Sequence, residues 1–133
     1  MTVAFWCVLV AFLLPLVCAV TAKVGSGKFK PAHNHDPRSF LDTLEGFPKR
    51  AHAAQLNSYE INPAFAAAVI IAHITDNASL VTIDVLAVLF ITSRLLYIIF
   101  DLADLATLRS IVWLIGLGLI ITLFGVAAVP AAA

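Results

Sequence analysis

No charged side chain occurs between Met1 and Ala22. A helix needs about 20 apolar residues, about 30 Å at 1.5 Å per residue, to cross a bilayer. This stretch supplies them, and three further, largely apolar stretches of similar length follow, the second interrupted by polar residues. Four crossings fit in 133 residues with room for one substantial loop. Bulk composition agrees: 62% of residues are hydrophobic and 12% charged, against about 45–50% and 25% in soluble proteins. Mean hydropathy is +1.01. That balance excludes an ordinary soluble domain, a disordered chain and a nucleic-acid partner.

The predicted architecture is all-α: one domain over 1–133, an integral membrane four-helix bundle in contact with membrane lipids. Its spans are expected at about 3–22, 49–74, 80–100 and 107–129. A cleaved signal peptide is the competing reading of the first stretch, since Ala19-Val20-Thr21-Ala22 offers small residues for a cleavage site. A signal peptide carries a basic N-terminal region, however, and the first cations here (Lys23, Lys28, Lys30) follow the apolar run. A retained span is therefore expected. Residues 23–48 form the one long loop, punctuated by Gly25, Gly27, Pro31, Pro37 and Pro48. Short turns at 75–79 and 101–106 make the helices they join antiparallel.

Cations orient the chain. Lys23, Lys28, Lys30, Arg38, Lys49 and Arg50 lie in or beside the long loop, and Arg109 lies beside the 101–106 connection. The turn at 75–79 and both termini have none. By the positive-inside rule the long loop and the 101–106 connection are cytoplasmic and both termini are not. Cys7 and Cys18 stand eleven residues apart on one helix, about 16 Å. That is too far for a disulfide, which needs Cα atoms within about 7 Å. His33-Asn34-His35-Asp36 has metal-binding residue types but lacks the remaining ligands of a site, so solvated loop residues and no metal are expected. His73, near the outer end of the second span, reads as interfacial.

Ionisable groups inside spans are costly and face the bundle interior or a watery cavity. At about 100° per residue, Arg50, Ala53, Asn57, Glu60, Ala64 and Ala68 share one face of the second span, which is expected to pack inside the protein. Glu60 lies about 22 Å from the outer end of its helix and Arg94 about 21 Å from the same side. At matched depth, they are predicted to form a buried pair or share a network. Arg94, Tyr97 and Asp101 share a face of the third span, and Arg109, Trp113 and Gly116 one of the fourth. Tyr97 and Trp113 read equally as interfacial aromatics. Arg109 either snorkels to the interface or stabilises an anionic ligand, a thiolate included.

The run Arg50-Ala-His-Ala-Ala-Gln55-Leu-Asn57-Ser-Tyr-Glu60-Ile-Asn-Pro63-Ala-Phe65 resembles the second-helix signature of the MAPEG family, membrane-associated proteins in eicosanoid and glutathione metabolism. Asn34-His-Asp-Pro37-Arg38, Arg94-x-x-Tyr97 and Leu108-Arg109-Ser110 add supporting matches, and the resemblance covers roughly residues 30–127. It is closest to the bacterial branch, which implies a bacterial cytoplasmic membrane. It also implies a homotrimer with a glutathione site between subunits, open to the cytoplasm. Carried over by residue, Asn57, Glu60 and Arg109 match the ligand set, with Ser110 beside Arg109 as a second catalytic candidate. Arg50, Arg94, Tyr97 and Trp113 complete the candidate binding residues. Ala53 and Leu56 stand where eicosanoid-type members have arginines, Trp113 near a tyrosine and Tyr97 near a histidine. Fewer charge-assisted bonds mean weaker anion binding, at roughly 1.5–3 kcal/mol each. The function implied is glutathione transferase or peroxidase action on lipophilic small-molecule electrophiles. The alternative is a non-catalytic scaffold or lipid-binding protein of the same fold.

Overall fold

A computed structural model describes residues 1–130; the end of the expected 1–133 domain lies outside the described residues. The described chain is all-α. Four long helices, α1 (Val3–Ser26), α3 (Gly46–Thr75), α4 (Leu80–Leu102) and α5 (Ala106–Ala128), are joined by short turns and one longer segment. That segment contains a 3-10 turn (Pro31–His35) and the six-residue helix α2 (Pro37–Asp42). Three of the long helices, α1, α4 and α5, are long and apolar enough to cross a membrane. The fourth, α3, has 30 residues, but Lys49, Arg50, His52, Asn57 and Glu60 make its first half polar.

Helix α1 packs on α3 and α4, α3 also packs on α4 and α5, and α4 packs on α5. The buried stripe of α1 is Ala4, Cys7, Ala11, Pro15, Cys18 and Ala22, small residues at helical spacing that let the α3 backbone approach closely. Both cysteines are free and buried. Facing them, α3 buries Ala51, Ala54, Ser58, Ile61, Phe65, Ala68 and Ala72. Phe65 stacks on Phe90 of α4, with centroids 4.0 Å apart and planes 15° apart, at the centre of the core.

This buried face corrects the expected one. Of the predicted stripe only Ala68 is buried; Arg50 and Asn57 are partly covered, and Ala53, Glu60 and Ala64 are exposed. The true face is the predicted one displaced by one residue, about 100° around the helix. Alanines recur on both stripes, so small-residue spacing does not separate them. Ile61 and Phe65 do, because burying a large side chain is worth about 1.5–3 kcal/mol.

Two hydrogen bonds between helices repair what the sequence leaves open. Pro15 has no N–H to donate to the Ala11 carbonyl, and Asn62 Nδ2 of α3 donates to that carbonyl instead, at 2.6 Å. At the opposite end, the Ala4 N–H donates to Asp84 Oδ1 at 2.7 Å, which satisfies one of the free amides that begin any helix. His73 makes contacts within the chain: its Nε2 lies 2.9 Å from Thr2 Oγ1, and its ring lies 4.3 Å from that of Phe5. Asn77 Nδ2 donates to the Ala127 carbonyl at 2.8 Å, tying the α3–α4 turn to α5.

The segment expected as loop is partly helical because Asp36 and Pro37 start a helix well. Asp36 accepts from the Ser39 amide at 3.2 Å and the Ser39 hydroxyl at 2.6 Å, and Pro37 occupies the first helical position, where a missing N–H is harmless. These bonds hold the Asp36 carboxyl below the usual carboxylate range. His33 has a packing role here: its Nδ1 accepts from the Lys30 amide at 2.9 Å and its ring stacks on Phe40 at 4.5 Å. Among the described residues no group of three or more His, Cys, Asp or Glu side chains is placed to hold a metal ion.

Candidate functional site

The reversal between α4 and α5 sets the site. Leu105 N–H donates to the Phe100 carbonyl at 2.8 Å and Asp104 N–H to the Asp101 carbonyl at 3.1 Å. Asp104 is left-handed, with φ 61°. This paired closure is the Schellman arrangement, normally served by glycine. It turns the chain within three residues and brings the first turn of α5 back beside the last turn of α4. Arg109 Nη1 thereby reaches Asp101 Oδ1 at 2.8 Å. Asp101 is 2% exposed, whereas the Arg109 side chain is 37% exposed.

Beside this ion pair lies an open cleft of about 470 Å³, lined by Asn57, Tyr97, Arg109, Ser110, Trp113 and Leu114. Three helices contribute. Asn57 comes from α3 and Tyr97 from α4, and the others follow i, i+1, i+4, i+5 on α5, one side of its first two turns. The wall is divided: Trp113 and Leu114 are apolar, and the remaining side chains offer donors and acceptors. Gly116, one turn further along α5, allows α5 to sit close to α4. A Cβ there would lie 3.0 Å from Ser93 Oγ.

Behind the cleft, Arg94 is 1% exposed. Its Nη2 donates to Asn57 Oδ1 at 2.9 Å and lies 3.4 Å from Ser58 Oγ. Its guanidinium carbon sits 4.3 Å from the Tyr97 ring centroid, a cation–π contact that partly replaces lost hydration. Arg94 therefore orients two cleft residues, Asn57 and Tyr97, without lining the cleft itself. Its Nε and Nη1, and Asp101 Oδ2, have no partner among the described residues.

Five of the eight candidate residues, Asn57, Tyr97, Arg109, Ser110 and Trp113, meet on this one cleft, and Arg94 touches it from behind. Two do not join it. Arg50 Nε donates to the Leu102 carbonyl at 3.2 Å and so caps the C-terminal end of α4. Glu60 is exposed, and the expected Glu60–Arg94 pair does not form within the described chain. Matched depth is not matched azimuth: Glu60 lies about 60° further round the helix than Asn57, and it is exposed where Asn57 still reaches α4. Asn57 and Ser58 hold Arg94 instead.

Asp101, the partner of Arg109 beside the cleft, is a residue whose pairing the sequence does not announce. It shares a helix face with Arg94 and Tyr97 and stands eight residues before Arg109 across a short turn. Opposite charges so placed meet only if the short turn closes in the right geometry, and the left-handed Asp104 that closes it was not legible. Leu114 carried no signal, being one leucine among many.

A family model described as MAPEG family matches residues 3–129 of the chain. No curated protein matches it.

Proposed function

The chain belongs to the MAPEG family, membrane-associated proteins of glutathione and eicosanoid metabolism, and on that premise we propose that it is a glutathione-dependent transferase or peroxidase acting on lipophilic electrophiles. The observation that carries the reading is the convergence of Arg109, Ser110, Asn57 and Tyr97 on one cleft with an apolar wall. Its 470 Å³ lies within the ordinary range of small-molecule sites, about 300–1,000 Å³.

The donor set suits a thiol peptide. Arg109 uses Nη1 on Asp101, which leaves Nε and Nη2 for an anion, and Ser110 adds a hydroxyl. Asn57 and Tyr97 supply neutral polar contacts, each already oriented by Arg94. A free thiol has a pKa of about 8.5, so a nearby cation increases the reactive thiolate at neutral pH. In a transfer reaction the sulfur forms a bond to an electrophilic carbon. The displaced electron pair leaves with the departing group or moves onto a conjugated oxygen and takes up a proton. Trp113 and Leu114 give an apolar substrate a wall to rest on.

In this reading all four long helices span the bilayer as a four-helix bundle, with residues 23–48 and 101–106 on the cytoplasmic side. Three copies assemble around the stripe of α3 that a single chain leaves uncovered. Ala53, Glu60 and Ala64 are exposed there beside the buried face, and small residues permit close helix contact.

The test is conjugation of glutathione to a model aryl halide or enone by detergent-solubilised protein. Arg109→Gln is expected to lower kcat by about 10²-fold, the usual consequence of removing one donor to a developing charge. Equal rates in the two proteins refute the mechanism. A non-catalytic scaffold is the second reading, favoured by the Asp101 carboxylate that already faces Arg109. The absence of saturable binding at millimolar glutathione supports it.

A further inference from the structure

Arg109, a cation on the cleft wall, is held by a buried carboxylate. Its only side-chain hydrogen bond among the described residues runs from Nη1 to Asp101 Oδ1 at 2.8 Å. The carboxylate is almost wholly buried and the guanidinium is partly open to the cleft. The Asp101 backbone is pinned as well, because its carbonyl accepts the Asp104 amide that closes the helix reversal. A buried carboxylate without a cation is strongly destabilising, so the pair constrains both members. Arg109 is aimed by an anchor that a ligand cannot reach. The same anchor places a negative charge directly behind the positive one.

We propose that Asp101 is the positioning residue of this cleft: it clamps Arg109 through one nitrogen so that the others face the ligand, and its charge sets the field that an anion in the cleft meets. The inference deepens the proposed function and rests on its reading of the cleft as an anion site. It predicts that charge and aim are separable. Asp101→Asn keeps an oxygen for Arg109 Nη1 and removes the opposing charge. Asp101→Leu removes both. The other charged groups at this end are the same residues in both variants. Arg94 is bonded to Asn57 and Ser58, Arg50 to the Leu102 carbonyl, and Glu60 and Asp104 are exposed.

A thiol reporter reads the field without any ligand. Ser110→Cys puts a titratable sulfur on the cleft wall beside Arg109. The native Cys7 and Cys18 are buried and react slowly by comparison. Its pKa is read from the pH dependence of alkylation in the full-length, detergent-solubilised protein. In the Asp101→Asn background it should fall by roughly 0.5–1 pH unit, the effect of one charge removed at a distance of order 10 Å near a surface. In the Arg109→Gln background it should rise by a similar amount, and in the double variant return near the parent value. A reporter pKa that is unchanged or raised by Asp101→Asn overturns the proposal.

Glutathione then separates this inference from the reading beneath it. If the reporter responds as expected and glutathione does not bind saturably, the ligand assignment fails while Asp101's control of the cleft stands. If glutathione binds, the pH profile of its conjugation should move to lower pH in Asp101→Asn, and kcat should fall in Asp101→Leu toward that of Arg109→Gln. A profile unmoved by Asp101→Asn reduces Asp101 to a structural role. The isosteric Asn variant keeps the test available should the Leu variant fail to fold.

Discussion

Replacing Asn62 by leucine tests how this chain accommodates a proline in its first long helix. Pro15 leaves the Ala11 carbonyl without its helical donor, and Asn62 Nδ2 fills the gap from α3 at 2.6 Å. Leaving a buried carbonyl unsatisfied costs about 1–3 kcal/mol, although polar contacts between membrane helices average nearer about 0.6 and reach about 1.7. Asn62 Oδ1 is itself buried without a partner among the described residues, so Asn62→Leu also removes an unmet acceptor, which offsets part of the loss. The expected net cost is about 1 kcal/mol.

Pro15→Ala changes the sign of the argument. It restores an N–H at position 15, which bonds to the Ala11 carbonyl and makes the Asn62 donor redundant. In that background Asn62→Leu should cost nothing or stabilise, giving a coupling energy of about 1 kcal/mol or more between residues on different helices. Steric trapping or a reversible detergent titration of the four proteins measures it. Independent sites add within about 0.3–0.5 kcal/mol. If Asn62→Leu costs the same in both backgrounds within that margin, Asn62 is not compensating for the proline and the reasoning fails.

Asp104 occupies a left-handed position, φ 61°, which a side chain tolerates poorly; Asp104→Gly should stabilise by about 0.5–1 kcal/mol and raise the unfolding midpoint. Gly116→Val should destabilise by about 2 kcal/mol, because a Cβ there already meets Ser93 Oγ at 3.0 Å and overpacking typically costs about 1–3 kcal/mol. The same detergent titration reads it, and Ser93→Gly should recover part of the loss. Asp36, held below the usual carboxylate range by Ser39, stabilises α2 fully above its unfolded pKa of about 3.9 and loses that contribution as pH falls through the lowered folded value. Protection of the Ser39 amide against exchange, taken relative to its intrinsic rate at each pH, should therefore fall below that pH, and in Asp36→Ala it should be low and independent of this titration.

Much of the architecture was legible because its signals are local. Gly27, the left-handed cap of α1, and Ser79, whose side chain accepts from Thr82 N at the start of α4, lie at the expected breaks between apolar runs. The positions of Arg94 and Arg109 in such runs identified them as groups requiring an explanation. The face of α3 was not legible. Its alanines repeat on two adjacent stripes, and only the fit of Ile61 and Phe65 against α1 and α4 selects between them. That selection exposes Glu60 and gives Arg94 to Asn57 and Ser58.

The sequence by itself therefore determined the solvent this protein is built for and its family. Apolar length, charge placement and the ordered motifs around Asn57, Arg94 and Arg109 are properties of the chain read residue by residue. Tertiary structure alone decided which polar side chains meet. The left-handed Asp104 brings Arg109 to Asp101, and the rotation of α3 brings Asn57 to Arg94 and the cleft. Azimuth and turn geometry arise from packing between segments distant in sequence, where a single residue's displacement turns a helix face by about 100°.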